Sequence, residues 1–123
     1  MREKCEGAMP DTNDARLIYI TTDGTAEARM IGHALVDARL AACANILDPM
    51  TSVYWWDGKV QEGQETVLIA KTTAALVDTL TERVRDLHSY DCPCIVSVLI
   101  DGGNTAFLEW VTAETADAPS RKN

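Results

Sequence analysis

Residues 51–62 read Thr-Ser-Val-Tyr-Trp-Trp-Asp-Gly-Lys-Val-Gln-Glu and hold two of the three tryptophans of the chain. Asp57-Gly58 favours a type I′ turn, because aspartate and glycine tolerate the positive φ that this turn requires. Strand-forming residues lie on both sides of the dipeptide. The segment is therefore predicted to be the tip of a β-hairpin.

Both faces of this hairpin carry apolar side chains. Successive residues of a strand point to opposite faces, so Val53 and Trp55 share one face while Tyr54 and Trp56 share the other. A surface hairpin with one wet face alternates apolar and polar residues instead. Both faces are therefore expected to be covered by other parts of the protein.

The first hairpin strand is too long for one small domain. An uninterrupted strand from Ala42 to Trp56 would extend about 45–50 Å, against a radius of gyration near 13 Å for about 100 residues. We expect a bend at Asp48-Pro49, because proline has no amide hydrogen to donate to a sheet, and contact with another copy of the chain. The alternative is an ordinary buried meander.

Composition restricts the classes of partner. The chain has 123 residues, 46% of them hydrophobic, which is typical of one globular domain. Its net charge of −8 repels nucleic acid and anionic lipid and favours cations. No nucleic-acid or membrane partner is expected. The sequence contains no nucleophile elbow, no phosphate loop and no zinc-protease helix, which are motifs of common enzymes. No catalytic residues are therefore assigned.

The four cysteines are expected to be reduced thiols. The first fifteen residues contain no apolar run, and no later stretch is long enough to cross a bilayer. These features predict a cytoplasmic location, where disulfide frameworks are rare.

Periodicity predicts the remaining elements. Leu17 to Thr22 is a strand, and Thr25 is expected to cap a helix that packs through residues including Met30 and partly through His33. Thr73 is expected to cap a second helix. Further elements are a strand over 93–100 and a helix over 105–114.

The resulting order is strand, helix, strand, strand, helix, strand, helix. It predicts an α+β fold: a ferredoxin-like split βαβ sandwich with an antiparallel sheet, a long bent hairpin between the second and third strands, and an extra C-terminal helix. Residues 1–15 are expected to be a mobile arm, 16–115 the folded domain and 116–123 a frayed tail. Self-association would cover the sheet face that lacks helices.

Several segments resemble the CutA divalent-cation-tolerance family. They are the following: Ala42-Cys43-Ala44-Asn45-Ile46, Ser52-Val53-Tyr54-Trp55-Trp56-Asp57-Gly58-Lys59, Lys71-Thr72, Leu87-His88 and Phe107-Leu108-Glu109-Trp110. The resemblance implies a tight homotrimer with hairpins crossing between neighbours, and a part in tolerance of divalent metal ions, copper in particular. It brings no established reaction. The family is also similar in architecture to the trimeric PII-type nitrogen-signalling proteins, so a signalling or scaffold trimer with a small metabolite in its intersubunit clefts is the alternative.

Soft ligands are candidates for a copper or other divalent-cation site, with no obligatory cofactor. Cys43 lies at the thiol position of the family, and an imidazole and two thiols follow at His88, Cys92 and Cys94. Similar chains usually have a carboxylate where this one has Cys94. In the alternative reading Cys43 is simply buried, His88 interacts with a helix C-terminus, and the other two cysteines pack.

Polar residues are candidates for a cleft between chains. Lys71 ends an apolar strand and needs a partner, for which Glu62, Asp91 and Glu114 are candidates. The residues predicted to line the cleft are Asn45, Trp56, Glu62, Lys71, Tyr90 and Asp91. Those predicted to form the trimer interface are Tyr54, Trp55, Trp56 and Trp110. A structural ion pair across the interface is the alternative for Lys71.

Overall fold

A computed structural model describes residues 14–119. It contains a four-stranded antiparallel sheet in the order β2-β3-β1-β4. The strands are β1 (Ala15–Thr22), β2 (Cys43–Trp56), β3 (Lys59–Thr73) and β4 (Ile95–Leu99). The helices are α1 (Thr25–Asp37), α2 (Val77–Leu87) and α3 (Thr105–Glu114), and a 3₁₀ turn (Ala74–Leu76) precedes α2. The predicted α+β class is confirmed.

The core lies between one sheet face and the first two helices. Ile18 and Ile20 of β1 and Leu68 of β3 are fully buried there. They pack with apolar residues that recur at helical spacing: Ile31 and Leu35 on α1, and Leu80 and Val84 on α2. The alternating residues Leu17 and Tyr19 belong to the opposite sheet face and are half-buried.

The hairpin turn forms where the sequence predicts it. Asp57 and Gly58 have φ values of 55° and 74°, as a type I′ turn requires, and Trp56 pairs with Lys59 across it. The ladder register shifts between Leu47 and Met50, so a β-bulge lies at the predicted bend. None of the helices within residues 14–119 has the length and apolar character needed to cross a membrane.

Four local expectations differ from the structure. Thr25 and Thr73 form no side-chain cap; Thr25 is already the first residue of α1, after Gly24. Met30 is 45% exposed and His33 is also exposed, because the buried stripe of α1 runs through Ala28, Ile31 and Leu35.

The chain ends lie partly outside the described residues. The predicted arm, 1–15, and tail, 116–123, include residues 1–13 and 120–123, for which no structure is described. Ala15 already pairs with Thr73 in the sheet, and Ala118 packs against the core. These two contacts lie just outside the predicted domain 16–115, whose boundaries stay a prediction.

Candidate functional site

The loop 88–94 joins α2 to β4 and is fixed first by His88. The backbone amide of His88 donates to the Val84 carbonyl at the end of α2, over 2.9 Å. Its imidazole Nε2 lies 2.7 Å from the Thr21 carbonyl, and the Tyr90 amide donates to Nδ1 over 3.1 Å. A carbonyl oxygen only accepts, so Nε2 carries the hydrogen and Nδ1 the lone pair. Both ring nitrogens of the buried His88 are thus occupied.

Glu27 of α1 fixes the next residue of the loop. One carboxylate oxygen accepts from the Ser89 amide over 2.7 Å, and the other accepts from the Asp23 amide over 2.9 Å. Burial opposes ionisation of this carboxyl, but the hydrogen bonds from Asp23 and Ser89 outweigh it and lower the pKa of Glu27. The nearby Nδ1 of His88, 3.9 Å away, accepts from Tyr90 and is a contact, not an ion pair.

Tyr90 connects the loop to the hairpin. Its hydroxyl donates to one oxygen of Glu65 over 3.0 Å, and Ser52 donates to the other oxygen over 2.5 Å. The tyrosine ring also contacts the His88 ring, with centroids 4.7 Å apart. Burial and the bond to Glu65 raise the pKa of Tyr90 far above its usual range. Residues 88–90, Glu27, Glu65 and Ser52 are called the loop network below.

A polar cavity of about 430 Å³ opens beside the loop network. The residues that line it are Glu82, Arg85, Asp86, His88, Ser89, Tyr90, Asp91 and Pro93. Three carboxylates and one guanidinium therefore face the same space. Such a lining suits a small polar or charged molecule better than an apolar one.

The four predicted metal ligands do not come together within one chain. Cys43 is half-buried at the start of β2, opposite Lys71, whereas Cys92 and Cys94 are exposed at the end of the 88–94 loop. His88 uses both nitrogens inside the fold. Across residues 14–119, no three side chains of the types His, Cys, Asp and Glu are grouped to hold a metal ion. A site built from this set stays a prediction that requires ligands from more than one chain.

The six predicted cleft residues fall in three separate places. The Lys71 ammonium donates to the Asn45 amide oxygen on the neighbouring strand. Tyr90 and Asp91 line the cavity. Trp56 is at the hairpin tip, about 35 Å along β2 from Asn45 at about 3.3 Å per residue.

Glu62 also lies near the tip, where it pairs with Val53 in the hairpin ladder. Within residues 14–119 Lys71 forms no ion pair with a carboxylate, and its ammonium donates to Asn45 instead. Glu114, one of the three candidates, instead accepts from Arg39 at 2.7 Å. One cleft that includes all six residues again needs a second chain.

The predicted interface aromatics of the hairpin are exposed. Tyr54 is 44% exposed, Trp55 74% and Trp56 68%. Trp110 differs, because it is half-buried on α3 and packs against Phe107 with ring centroids 5.6 Å apart. In a single chain, the aromatic side chains of the hairpin are therefore exposed to solvent.

Sequence reasoning missed Glu27, Glu65 and Ser52. A two-residue turn at Asp57-Gly58 places Ser52 opposite Gly63, so the register already brings Glu65 within reach of Ser52. No comparable signal exists for Glu27, because its partner Ser89 is 62 positions away.

The sheet order, the two helices on one face and the long hairpin define the class as a ferredoxin-like α+β protein with a projecting aromatic arm. The family model of the CutA1 divalent ion tolerance protein matches residues 16–114. The chain therefore belongs to the CutA1 family.

Individual relatives agree with this membership. The Divalent-cation tolerance protein CutA of Thermus thermophilus is 44% identical over 99 residues, which is 80% of this chain and 96% of the relative. Protein CutA 1, chloroplastic, of rice is 39% identical over 102 residues, 83% of this chain. The chain spans 58% of the length of that rice relative and 54% of the chloroplastic CutA of Arabidopsis thaliana.

Solved structures show the same fold. The crystal structure of CutA1 from Oryza sativa superposes with a TM-score of 0.83 at 38% identity, over 88% of this chain and all of that one. CutA from Xylella fastidiosa gives a TM-score of 0.81 at 35% identity, over 83% of this chain and 98% of that one. The predicted ferredoxin-like fold and CutA resemblance are both confirmed.

Proposed function

We propose that this chain contributes to tolerance of divalent metal ions, copper among them, by binding cations as a homotrimer. The observation that carries the proposal is the match to the divalent ion tolerance family over residues 16–114. The role is one of binding and not of catalysis. The net charge of −8 supports it, because it attracts cations toward the protein surface and disfavours nucleic acid and anionic membranes as partners.

The exposed hairpin supports assembly. Val53, Trp55 and Val60 are more than half exposed, and so is Trp56 on the other hairpin face. Each large aromatic side chain buries about 150–250 Å², worth about 25 cal/mol per Å² of apolar surface. Covering the arm with neighbouring chains would therefore contribute several kcal/mol per chain.

Thiols are the ligands proposed for the metal. Cys43, Cys92 and Cys94 offer sulfur, which suits copper(I) and zinc, and assembly supplies more than one copy of each. His88 belongs to the proposed set only if it gives up a bond to Thr21 or Tyr90. The free thiols also support a cytoplasmic location, because reducing compartments keep cysteines unpaired. Thiol labelling in fractionated cells tests that location.

Native mass spectrometry under reducing conditions tests the proposal. The expected result is a mass of three chains that takes up copper in a saturable, integral ratio. Cys92→Ser with Cys94→Ser should lower that ratio, and Cys43→Ser measures the share of the third thiol. A trimer that binds no copper would remove the metal role, and a monomer would remove both parts of the proposal.

A signalling or scaffold trimer is the second candidate. The observation in its favour is the polar cavity of about 430 Å³ beside Tyr90, together with the Lys71–Asn45 bond. A thermal-shift screen with small polar metabolites should then stabilise the wild type. Loss of the shift in Arg85→Gln would assign the ligand to the cavity, whereas loss in Lys71→Gln would assign it to the Lys71–Asn45 pair. Stabilisation by copper alone, with no metabolite active, would favour the first candidate.

A further inference from the structure

The segment Cys92-Pro93-Cys94 carries two exposed free thiols one residue apart. It ends the loop between α2 and β4, directly after the residues held by the loop network. The third described thiol, Cys43, lies on another strand and is half-buried. The two exposed thiols are therefore a local pair that differs chemically from Cys43.

The backbone on the C-terminal side of this pair is held by the sheet. The Cys94 carbonyl accepts from the Thr21 amide over 3.4 Å, so this residue already joins the sheet edge one position before β4. Pro93 fixes its own φ near −65° and disfavours a helical conformation at Cys92. Cys92 lies at a bend in the loop, and strand β4 begins only after Cys94.

Closure of the pair is within reach. Two residues of even a fully extended chain span at most about 7 Å between Cα atoms, so the Cα atoms of Cys92 and Cys94 are no farther apart than that. Disulfides span Cα separations of about 4.4–6.8 Å. The two Cβ atoms of a disulfide lie about 4 Å apart. Closure therefore requires Cys92 and Cys94 to be closer together than fully extended backbone would place them.

We propose that Cys92 and Cys94 form a redox-active dithiol that closes reversibly into an intramolecular disulfide. The co-reactant is a low-molecular-weight disulfide such as that of glutathione. One cysteine sulfur, as thiolate, attacks a sulfur of that disulfide and releases the first small thiol. The second cysteine sulfur attacks the mixed disulfide and releases the other small thiol. The protein pair loses two electrons and two protons, and the small disulfide gains them.

The bond is expected to be labile. Ring closure across a single residue is strained, and both sulfurs are exposed. Strained or exposed disulfides are the readily reduced, regulatory ones. Closure would also withdraw two of the thiols proposed for metal binding. The redox inference itself does not depend on that role, because it concerns the thiols alone.

Redox equilibration followed by mass spectrometry tests this inference on the full chain. The protein is held in glutathione buffers of graded oxidation with a metal chelator, quenched in acid and alkylated with N-ethylmaleimide. Trypsin then releases residues 86–121 as one peptide, since no lysine or arginine lies between Arg85 and Arg121, and only Cys92 and Cys94 fall within it.

In oxidising buffer this peptide should be lighter by two hydrogen atoms and carry no alkyl group, and dithiothreitol should reverse the change. The variant Cys43→Ser should behave like the wild type. Cys92→Ser and Cys94→Ser should each lose the closed form and take up one glutathione instead. Glutathione adducts in the wild type without a closed form would overturn the inference, as would disulfide-linked chain dimers or a closed form that survives either substitution.

Copper stoichiometry measured under reducing conditions separates the two proposals. A closed disulfide with no copper binding retains the redox pair and removes the metal role. Copper binding without disulfide closure retains the metal role and removes the redox pair.

Discussion

The carboxylate of Glu27 fixes two backbone amides by hydrogen bonds. It accepts the Asp23 and Ser89 amides, and these bonds lower its pKa below the ordinary value of 4.5. Because the folded carboxyl has the lower pKa, the unfolded chain takes up the proton first as pH falls. The contribution of Glu27 to the free energy of unfolding is complete above about pH 4.5 and is lost toward lower pH.

Replacing Glu27 with glutamine should lower the free energy of unfolding by about 1–2 kcal/mol at neutral pH, because hydrogen bonds to a charged acceptor become weaker neutral ones. The difference from the wild type should shrink as the pH falls from 5 toward 3. Urea unfolding at several pH values measures it. Asp101→Asn, which removes the same charge from an exposed loop, should show neither effect; a similar loss there would contradict the assignment to local bonds.

Individual side-chain roles were the least predictable from sequence. His88 looked like a soft-metal ligand because cysteines follow it, yet its ring bonds Thr21, a residue 67 positions away. Thr25 and Thr73 looked like helix caps, whereas the side chain that does cap a helix is Asn104, which accepts from the Ala106 amide over 3.1 Å. Hydrogen bonds between distant segments leave no periodic signal in the chain.

At the scale of elements, the hairpin tip depends on backbone conformation. Gly58 has a φ of 74°, and a Cβ added there meets nothing within 4 Å. Gly58→Ala should therefore destabilise the protein by about 1 kcal/mol through left-handed backbone strain alone. Thermal unfolding measures this change.

Gly63→Ala is the matched control, because Gly63 lies in the same hairpin without a left-handed φ. Its added Cβ would meet only the Tyr54 side chain, with the hydroxyl at 3.4 Å and Cε1 at 3.8 Å, so this variant should be nearly neutral. Equal losses in the two variants would show that glycine flexibility in general, and not the turn, matters.

The loop network attaches the 88–94 loop to the hairpin through one carboxylate. Tyr90→Phe removes the hydroxyl bond to Glu65 and keeps the ring contact with His88, at a cost of about 1 kcal/mol. Ser52→Ala removes the other bond to Glu65. Because the two share one partner, their effects in a double-mutant cycle should depart from additivity by at least about 0.5 kcal/mol.

Gln64→Ala gives the comparison, because Gln64 bonds Thr51 on the same hairpin and not Glu65. Combined with Tyr90→Phe it should be additive within about 0.5 kcal/mol. Urea unfolding of the three single and two double variants and the wild type gives both cycles. Additivity in the Ser52 cycle would mean that Glu65 does not couple loop and hairpin.

Element positions were predictable because they rest on local patterns. The helical spacing of Leu80 and Val84 predicted the packed face of α2, and the dipeptide Asp57-Gly58 predicted the hairpin turn. The missing amide hydrogen of Pro49 predicted a bend at Asp48-Pro49, and the register of the ladder shifts at that place. Contacts within an element repeat with a period, whereas contacts between loops do not.

At the scale of the whole molecule, the arm is expected to hold copies of the chain together. Trp55→Ser combined with Trp56→Ser should shift the assembly toward monomers, because two mostly exposed aromatic rings would no longer be buried between chains. Sedimentation analysis over a range of concentrations measures the shift. Met30→Ser removes an exposed apolar side chain from α1 and should leave the assembly unchanged; a double mutant that stays trimeric would refute the role of the arm.

The sequence allows predictions about sites within one chain, but not about how residues of different chains come together. Lys71 and Trp56 were placed in one cleft, yet the long hairpin keeps them far apart within a chain. The prediction of their proximity concerns a second chain, whose position no pattern in the sequence specifies. The cavity beside Tyr90, in contrast, lies wholly within one chain.

The sheet order has one more consequence, for aggregation. β2 is an edge strand of 14 residues, so the backbone N–H and C=O groups on its outer side are free to pair with a strand of another molecule. Such an unpaired edge is the template on which fibrils grow. Pro49 and the bulge beside it divide that long edge into two shorter ones, and proline contributes no hydrogen to an incoming strand. The residue that bends the arm thus also acts as a gatekeeper against uncontrolled polymerisation of the chain.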